Sequence, residues 1–256
     1  PSNMQVLGTV EKIGENADVK FKEYGGDLIV LTAGHNGIHT YNVNNPSAPY
    51  ELDNYGGYER DLTSMSLLGD LAYVLVAYRG LAVIDISDPN SLSQVGYLDY
   101  QQYTPLNNSL GTVTTYGNKA VIAAHDQGFY VMDITNPNPV FEEQIIVDFG
   151  DGNLEVKARD SILEGNYLYL IAEDLPRNDD DPMEGGGGLG IYDMNDLSAG
   201  PIGYGPNEVW YSLKFMHIDF SRDKVYFTHW SGNGAGVSSH DISDINNPIY
   251  GGDVGA

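Results

Sequence analysis

Apolar and polar positions alternate along the chain in short blocks. Runs of five to eight aliphatic, β-branched and aromatic residues, such as Leu71-Ala-Tyr-Val-Leu-Val-Ala-Tyr78, are separated by clusters of glycine, aspartate, asparagine and proline. Blocks of this kind read as β-strands bounded by tight turns. No segment carries the 3.6-residue spacing of a long amphipathic helix.

The blocks repeat. Gly80-Leu-Ala-Val-Ile-Asp-Ile-Ser-Asp-Pro89 recurs as Gly128-Phe-Tyr-Val-Met-Asp-Ile-Thr-Asn-Pro137. Weaker copies are Gly37-Ile-His-Thr-Tyr-Asn-Val-Asn-Asn-Pro46, Gly188-Leu-Gly-Ile-Tyr-Asp-Met-Asn-Asp-Leu197 and Gly236-Val-Ser-Ser-His-Asp-Ile-Ser-Asp-Ile245. The central Asx falls at Asn42, Asp85, Asp133, Asp193 and Asp241, spaced by 43, 48, 60 and 48 residues. Each copy follows a second apolar run opened by a turn pair: Gly26-Asp27, Gly69-Asp70, Gly117-Asn118, Gly165-Asn166 and Arg222-Asp223. Such pairs predict tight hairpins, and the Asx-Pro steps at Asp88-Pro89 and Asn136-Pro137 predict Asx turns.

Each unit therefore holds four strands: one before the turn pair, one after it, the Gly-X-X-X-X-Asp strand, and a last strand such as Gln94-Val-Gly-Tyr97. Four antiparallel strands bury neither face alone, so successive units must stack as blades around an axis. A period of 40 to 50 residues points to the same architecture. The expectation is an all-β propeller, a single domain over residues 1–256 with five countable blades. Closure is open at this stage. Met4-Gln-Val-Leu-Gly-Thr-Val10 resembles the last strand of a blade lacking its first three, while Pro248-Ile-Tyr-Gly-Gly-Asp253 already offers a last strand to the fifth. Either the N-terminal strand closes the ring and the C-terminus is an extra edge, or the chain is part of a propeller of six or more blades.

Leu81-Ala-Val-Ile-Asp-Ile-Ser-Asp-Pro89, with Tyr73-Val-Leu-Val-Ala77 or Ala120-Val-Ile-Ala-Ala124 before such a segment, resembles the LVIVD-repeat β-propellers of bacterial and archaeal cell-surface or secreted proteins. The resemblance is strongest in the second and third copies and weakest in the fifth, where Ser238-Ser-His240 replaces an apolar triplet. It implies the propeller fold and an extracellular or cell-surface location. It implies no particular activity, because the family shares none.

Composition narrows the partners. Thirty-six acidic against 12 basic side chains give a formal charge of −24, which disfavours nucleic acid and anionic membrane surfaces. No apolar run approaches the roughly 18 residues of a membrane-crossing helix, and the absence of cysteine excludes disulfides and thiolate chemistry. The chain begins at Pro1 without a charged segment leading into an apolar one, as expected after removal of a signal peptide or excision from a longer protein.

Candidate chemistry gathers in the loops between second and third strands and between blades. Those loops place His35, Tyr78, His125, Glu173 and His229 in equivalent positions of successive blades, residue types suited to proton transfer or metal binding. Four of the 12 cations, Arg60, Arg79, Arg159 and Arg177, fall on the same side, either to hold a carboxylate or sulfate or to pin loops through Arg-Asp pairs. Tyr55, Tyr58, Tyr97, Tyr100, Tyr103, Tyr204, Tyr211, Trp210 and Trp230 supply rings for stacking on a sugar or a protein. The spacing of 60 reflects an insertion over 174–187, in which Asp174, Asp179, Asp180 and Asp181 offer oxygens for Ca²⁺ without EF-hand spacing; a solvated acidic loop is the alternative. No nucleophile elbow, P-loop, dinucleotide fingerprint or His-Glu-X-X-His occurs.

These features support a non-enzymatic binding or assembly module for a glycan or protein, with His35, Arg60, Arg79, Arg159, Tyr211 and Trp230 as ligand-binding candidates. The alternative is a lyase or hydrolase acting on an anionic polysaccharide, with His125, Tyr78 or His229 as catalytic candidates. A third possibility is a Ca²⁺-dependent adhesin using the 174–187 insertion.

Overall fold

The computed structural model describes residues 6–10, 16–56, 62–77, 79–99, 111–124, 128–137, 141–146, 157–175, 186–206, 212–231 and 234–255. The described strands form five antiparallel four-stranded sheets, each built from consecutive strands. Blade 1 holds β1 (Asn16–Tyr24), β2 (Asp27–Gly34), β3 (Gly37–Asn42) and β4 (Tyr50–Tyr55). Blade 2 holds β5 (Leu62–Leu68), β6 (Leu71–Val76), β7 (Gly80–Asp85) and β8 (Ser93–Asp99). Blade 3 holds β9 (Thr112–Tyr116), β10 (Lys119–Ala123), β11 (Phe129–Asp133) and β12 (Phe141–Ile146). Blade 4 holds β13 (Lys157–Glu164), β14 (Tyr167–Leu175), β15 (Gly186–Asp193) and β16 (Gly203–Pro206). Blade 5 holds β17 (Ser212–Asp219), β18 (Lys224–Ser231), β19 (Gly234–Asp241) and β20 (Ile249–Gly255). β20 fills the fourth place of blade 5 by pairing with β19, so it is not an extra edge.

The hairpins close where left-handed backbone is cheap. Gly69, Gly117 and Gly165 take φ of 58°, 59° and 60°, a conformation that costs glycine nothing. Asp223 adopts φ 52° at the corresponding turn of blade 5, consistent with the tolerance of Asp for this region. In blade 1 the turn residues are Gly25 and Gly26 rather than Gly26-Asp27, and Asp27 already pairs with Tyr24. The first hairpin also runs two pairs longer, because Asn42 lies opposite Ile29 whereas Asp85 lies opposite Leu71, the first residue of β6.

The repeated Asx is a turn device. Its side-chain oxygen accepts the N–H two residues on: Asp85 from Ser87 at 2.8 Å, Asp133 from Thr135 at 2.8 Å, Asp193 from Asn195 at 2.9 Å, and Asp241 from Ser243 at 2.9 Å. The residue between donates to the hairpin turn of its own blade, as Ile86 does to Asp70 O at 2.9 Å and Ile242 to Asp223 O at 2.8 Å. One motif thus stops the third strand and ties it to the turn between the first two.

Contacts divide the chain into two compact units, Pro1–Asn108 with Asn136–Val140, and Ser109–Thr135 with Phe141–Ala256. In the first, Ile29, Leu31 and Ala33 of blade 1 pack on Met65, Val74 and Ile84 of blade 2. In the second, Leu168 and Leu170 face Val121 and Ala123 of blade 3, while Tyr169 and Ile171 face Met216, Val225 and Phe227 of blade 5. Alternate residues of β14 therefore serve opposite interfaces, which explains why the run reads as continuously apolar. Fully burying each of the Leu, Ile, Val, Met and Phe side chains among these stabilises by about 1.5 to 3 kcal/mol before entropic costs.

Polar clamps set the blade spacing within each unit. Asp18 and Asp160, both beside the β-bulge of a first strand, accept the N–H of Met65 at 2.8 Å and Met216 at 2.7 Å in the next blade. Thr40 donates its hydroxyl to Pro89 O at 2.7 Å, and Leu92 N–H donates to the Asp53 carboxylate at 2.7 Å. Gly96 and Gly203 lie so close to the carbonyls of Pro137 and Ile245 that any side chain would overlap them.

Candidate functional site

The sequence candidates separate into the strand ends of blades 1 and 2, where His35 is exposed and the others are half-buried, and a buried polar layer in blade 5. His35 is exposed in the turn joining β2 to β3. At the same end, β4 finishes at Tyr55, which pairs with Ile38. The corresponding end of blade 2 carries partly exposed Arg79 just before Gly80, with Asp99 opposite Gly80. Tyr97 is near enough to feel both charges: burial pushes its hydroxyl pKa up, Asp99 adds to the rise and the Arg79 guanidinium opposes it. The end of this unit thus carries a histidine, a guanidinium and a carboxylate, beside two tyrosines that pack partly buried against the core of blades 1 and 2.

His229 does not belong with His35. It lies inside β18 opposite Gly236, the place held by Gly34 opposite Gly37 and by Val76 opposite Gly80. It therefore precedes the position of His35 by one residue, and one residue along a strand turns a side chain to the other face. His229 is only 5% exposed. Its Nε2 stands 3.7 Å from Asp253 Oδ1, which also accepts the Ser238 hydroxyl, and Gly236 leaves room for the ring. His240, fully buried two residues beyond Ser238, stacks on Phe227 at 5.3 Å and meets the Tyr250 ring edge-on at 5.5 Å. Gly205 supplies its clearance.

Serine, aspartate and histidine meet here in an order that does not activate a nucleophile. The aspartate stands between the other two and takes the serine proton donor itself, whereas nucleophilic catalysis needs the histidine beside the hydroxyl. The set is a polar brace between β18, β19 and β20. Sequence reading missed it, although the signal was present in the departure of Ser238-Ser-His240 from the apolar triplet. Blade 1 has a related pair: buried His39, at the place of Ser238, holds Glu51 Oε1 through Nδ1 at 2.8 Å and stacks on Tyr41.

Arg159 occupies the β13 bulge, where the register shifts between Ala158 and Asp160, and is partly buried. Tyr204 packs partly buried against the core shared by blades 3 and 4. Glu173 and Asp174 extend β14, and Trp230 lies in β18, so these three are strand residues rather than loop residues. Tyr58, Arg60, Tyr78, Tyr100, Tyr103, His125, Arg177, Asp179, Asp180, Asp181, Trp210 and Tyr211 lie outside the described residues. Among the described residues, no group of three or more His, Cys, Asp or Glu side chains is placed to hold a metal ion. No described helix is long and apolar enough to cross a membrane.

Comparison with known proteins agrees with the repeat and the fold. The family model described as LVIVD repeat matches residues 59–99 and 111–145, which take in blade 2 and all but the last residue of blade 3, so the chain carries LVIVD repeats. No curated protein matches it in sequence. Among solved structures it resembles a chain of the mitotic checkpoint complex (TM-score 0.64, 15% identity, covering 98% of this chain and 69% of that one). It also resembles the WD40 domain of Toxoplasma gondii coronin (0.63, 11%, 94% and 59%) and YCF48 bound to D1 peptide (0.50, 8%, 91% and 68%). At these identities the likeness is one of fold, and that fold is the all-β propeller.

Proposed function

We propose that this LVIVD-repeat propeller is a non-enzymatic binding or assembly module, extracellular or at the cell surface, that engages a protein partner through the strand-end surface of blades 1 and 2. The observation that carries this reading is the placement of exposed His35 and partly exposed Arg79 and Asp99 at the strand ends of blades 1 and 2, with Tyr55 and Tyr97 partly exposed where they pack on the core of these blades. Tyrosine and arginine are among the residue types enriched at protein-interface hot spots, tyrosine for its large, stiff ring and arginine for its planar array of donors. The mixed signs of Arg79 and Asp99 suit a peptide better than a uniformly anionic polymer. One structural neighbour is bound to a peptide, which supports a protein ligand for a fold of this kind. A glycan is the other class of ligand the surface could take.

The test probes the wild-type chain against a displayed peptide library and a glycan array, alongside His35→Ala and Arg79→Ala. Peptide ligands that lose at least tenfold in affinity with either variant support the reading. Ligands indifferent to both variants, or binding confined to glycans, overturn it. The cellular location is tested separately by antibody labelling of intact cells; labelling only after permeabilisation contradicts the surface assignment.

A further inference from the structure

Residues 6–10 carry a relationship that the proposed binding role does not use. Gly8 lies against the carbonyl of Pro46 so closely that a Cβ would overlap it, with Pro49 and Ser47 also adjacent. Pro46 stands four residues after the Asx of its copy, as do Pro89, Pro137 and Ile245. The carbonyls of Pro137 and Ile245 receive Gly96 and Gly203 in the same way, and both glycines lie on the fourth strand of a blade, opposite Val83 and Ile191. Gly8 therefore stands where the fourth strand of a blade before blade 1 would stand.

Among the described residues no strand stands beside it, and the face of blade 1 that such a blade would cover is apolar. Phe21 is 63% exposed and Val19 is 49% exposed, on the side of β1 opposite to Lys22 and Tyr24, which reach blade 2. At the places of Val19 and Phe21, blade 5 has Met216 and Ile218 and blade 4 has Ser161 and Leu163, all buried. Both positions are thus buried in blades 4 and 5, and at the place of Val19 blades 2 and 3 bury Met65 and Val113 as well.

We propose that this face of blade 1 docks a three-stranded antiparallel unit of the chain's own repeat type, strands one to three, which takes residues 6–10 as its fourth strand. A second copy of the chain does not fit: its blade 5 already holds a fourth strand, β20, and would compete with residues 6–10 for one place. Three strands with an apolar face fit, and four do not.

The test supplies such a unit. Residues 62–92 of this chain, the first three strands of blade 2 with the following turn, are duplicated ahead of Met4, and hydroxyl-radical footprinting is read at Val19 and Phe21. Tyr116, exposed in blade 3, is the reference. The expected result is a fall of at least threefold in oxidation of Val19 and Phe21 relative to residues 1–256, reversed by Gly8→Val in the fusion. Unchanged oxidation in a folded, monomeric fusion overturns the proposal. In the chain of residues 1–256, Phe21→Lys is expected to lower bis-ANS binding at unchanged melting temperature. A marked fall in melting temperature, or protection of Phe21 that grows with protein concentration, overturns it by showing that the chain or a second copy already covers the face.

Discussion

Asp160 holds two backbone donors at once, Ser161 N–H on Oδ1 at 2.8 Å and Met216 N–H on Oδ2 at 2.7 Å, so one carboxylate fixes its own β-bulge and the next blade's first strand. Both Asp160 and Met216 are buried. Asp160→Ala leaves the Met216 N–H without this acceptor in an enclosed place, a loss of about 1 to 3 kcal/mol. Urea unfolding should register it as a lower midpoint at an unchanged slope. Stability equal to that of the wild type would mean that the clamp is incidental.

In blade 5 the same place on the first strand is taken by Phe215, which is 64% exposed. Val237 and Val254 are exposed with it on that face of the blade. Phe215→Asp should leave stability within about 0.5 kcal/mol, as for an exposed position, while raising solubility. A larger loss in thermal unfolding would show that the ring is packed in solution.

Gly96 and Gly203 lie against carbonyls that cannot retreat without moving an Asx turn. Alanine at either position should cost about 1 to 3 kcal/mol through overpacking. Differential scanning calorimetry checks this against Gly251→Ala, where the nearest atom is the movable Ser239 hydroxyl. Equal effects at all three would contradict the close approach.

The Asx turns give the fold an acid limit. The N–H of Ser87 holds the Asp85 carboxyl below its usual value of 3.8, the Thr135 side chain does so for Asp133, and the Lys224 ammonium, bonded at 2.6 Å, does so most strongly for Asp241. A carboxylate depressed in the folded state contributes stability above its unfolded pKa and loses it as pH falls through the folded one. The melting temperature should therefore hold from pH 7 to about 5 and decline below about 4. Asp85→Asn combined with Asp241→Asn should flatten that decline; an unchanged slope would assign it to other groups. At the alkaline end, burial raises the Tyr24 hydroxyl to about 12, helped by Asp70 and Asp85.

Sequence reading recovered the blades because each copy carries its own stop signals. The Asx at Asp85 and the glycine turn at Gly69 act locally, so their effect is visible in one dimension. It failed where the outcome depends on register. Gly25 and Gly26 both accept left-handed backbone, and only the pairing of Tyr24 with Asp27 selects which residues turn. His229 looked like His35 because each ends an apolar run, yet its partner Gly236 places it one residue earlier and inside the blade. The clamps at Asp18 and Asp160 left no trace, because their partners Met65 and Met216 lie 47 and 56 residues away.

The central claim is that each repeat copy folds as a four-stranded blade in a fixed register. Backbone NOEs in the deuterated protein test it most directly. The account predicts cross-strand contacts joining Ala72 to Ile84, Val121 to Val131, Leu170 to Gly190 and Phe227 to Ser238. Contacts displaced by one residue in any of these pairs, or sequential amide patterns of helix over Leu71–Val76, would contradict it.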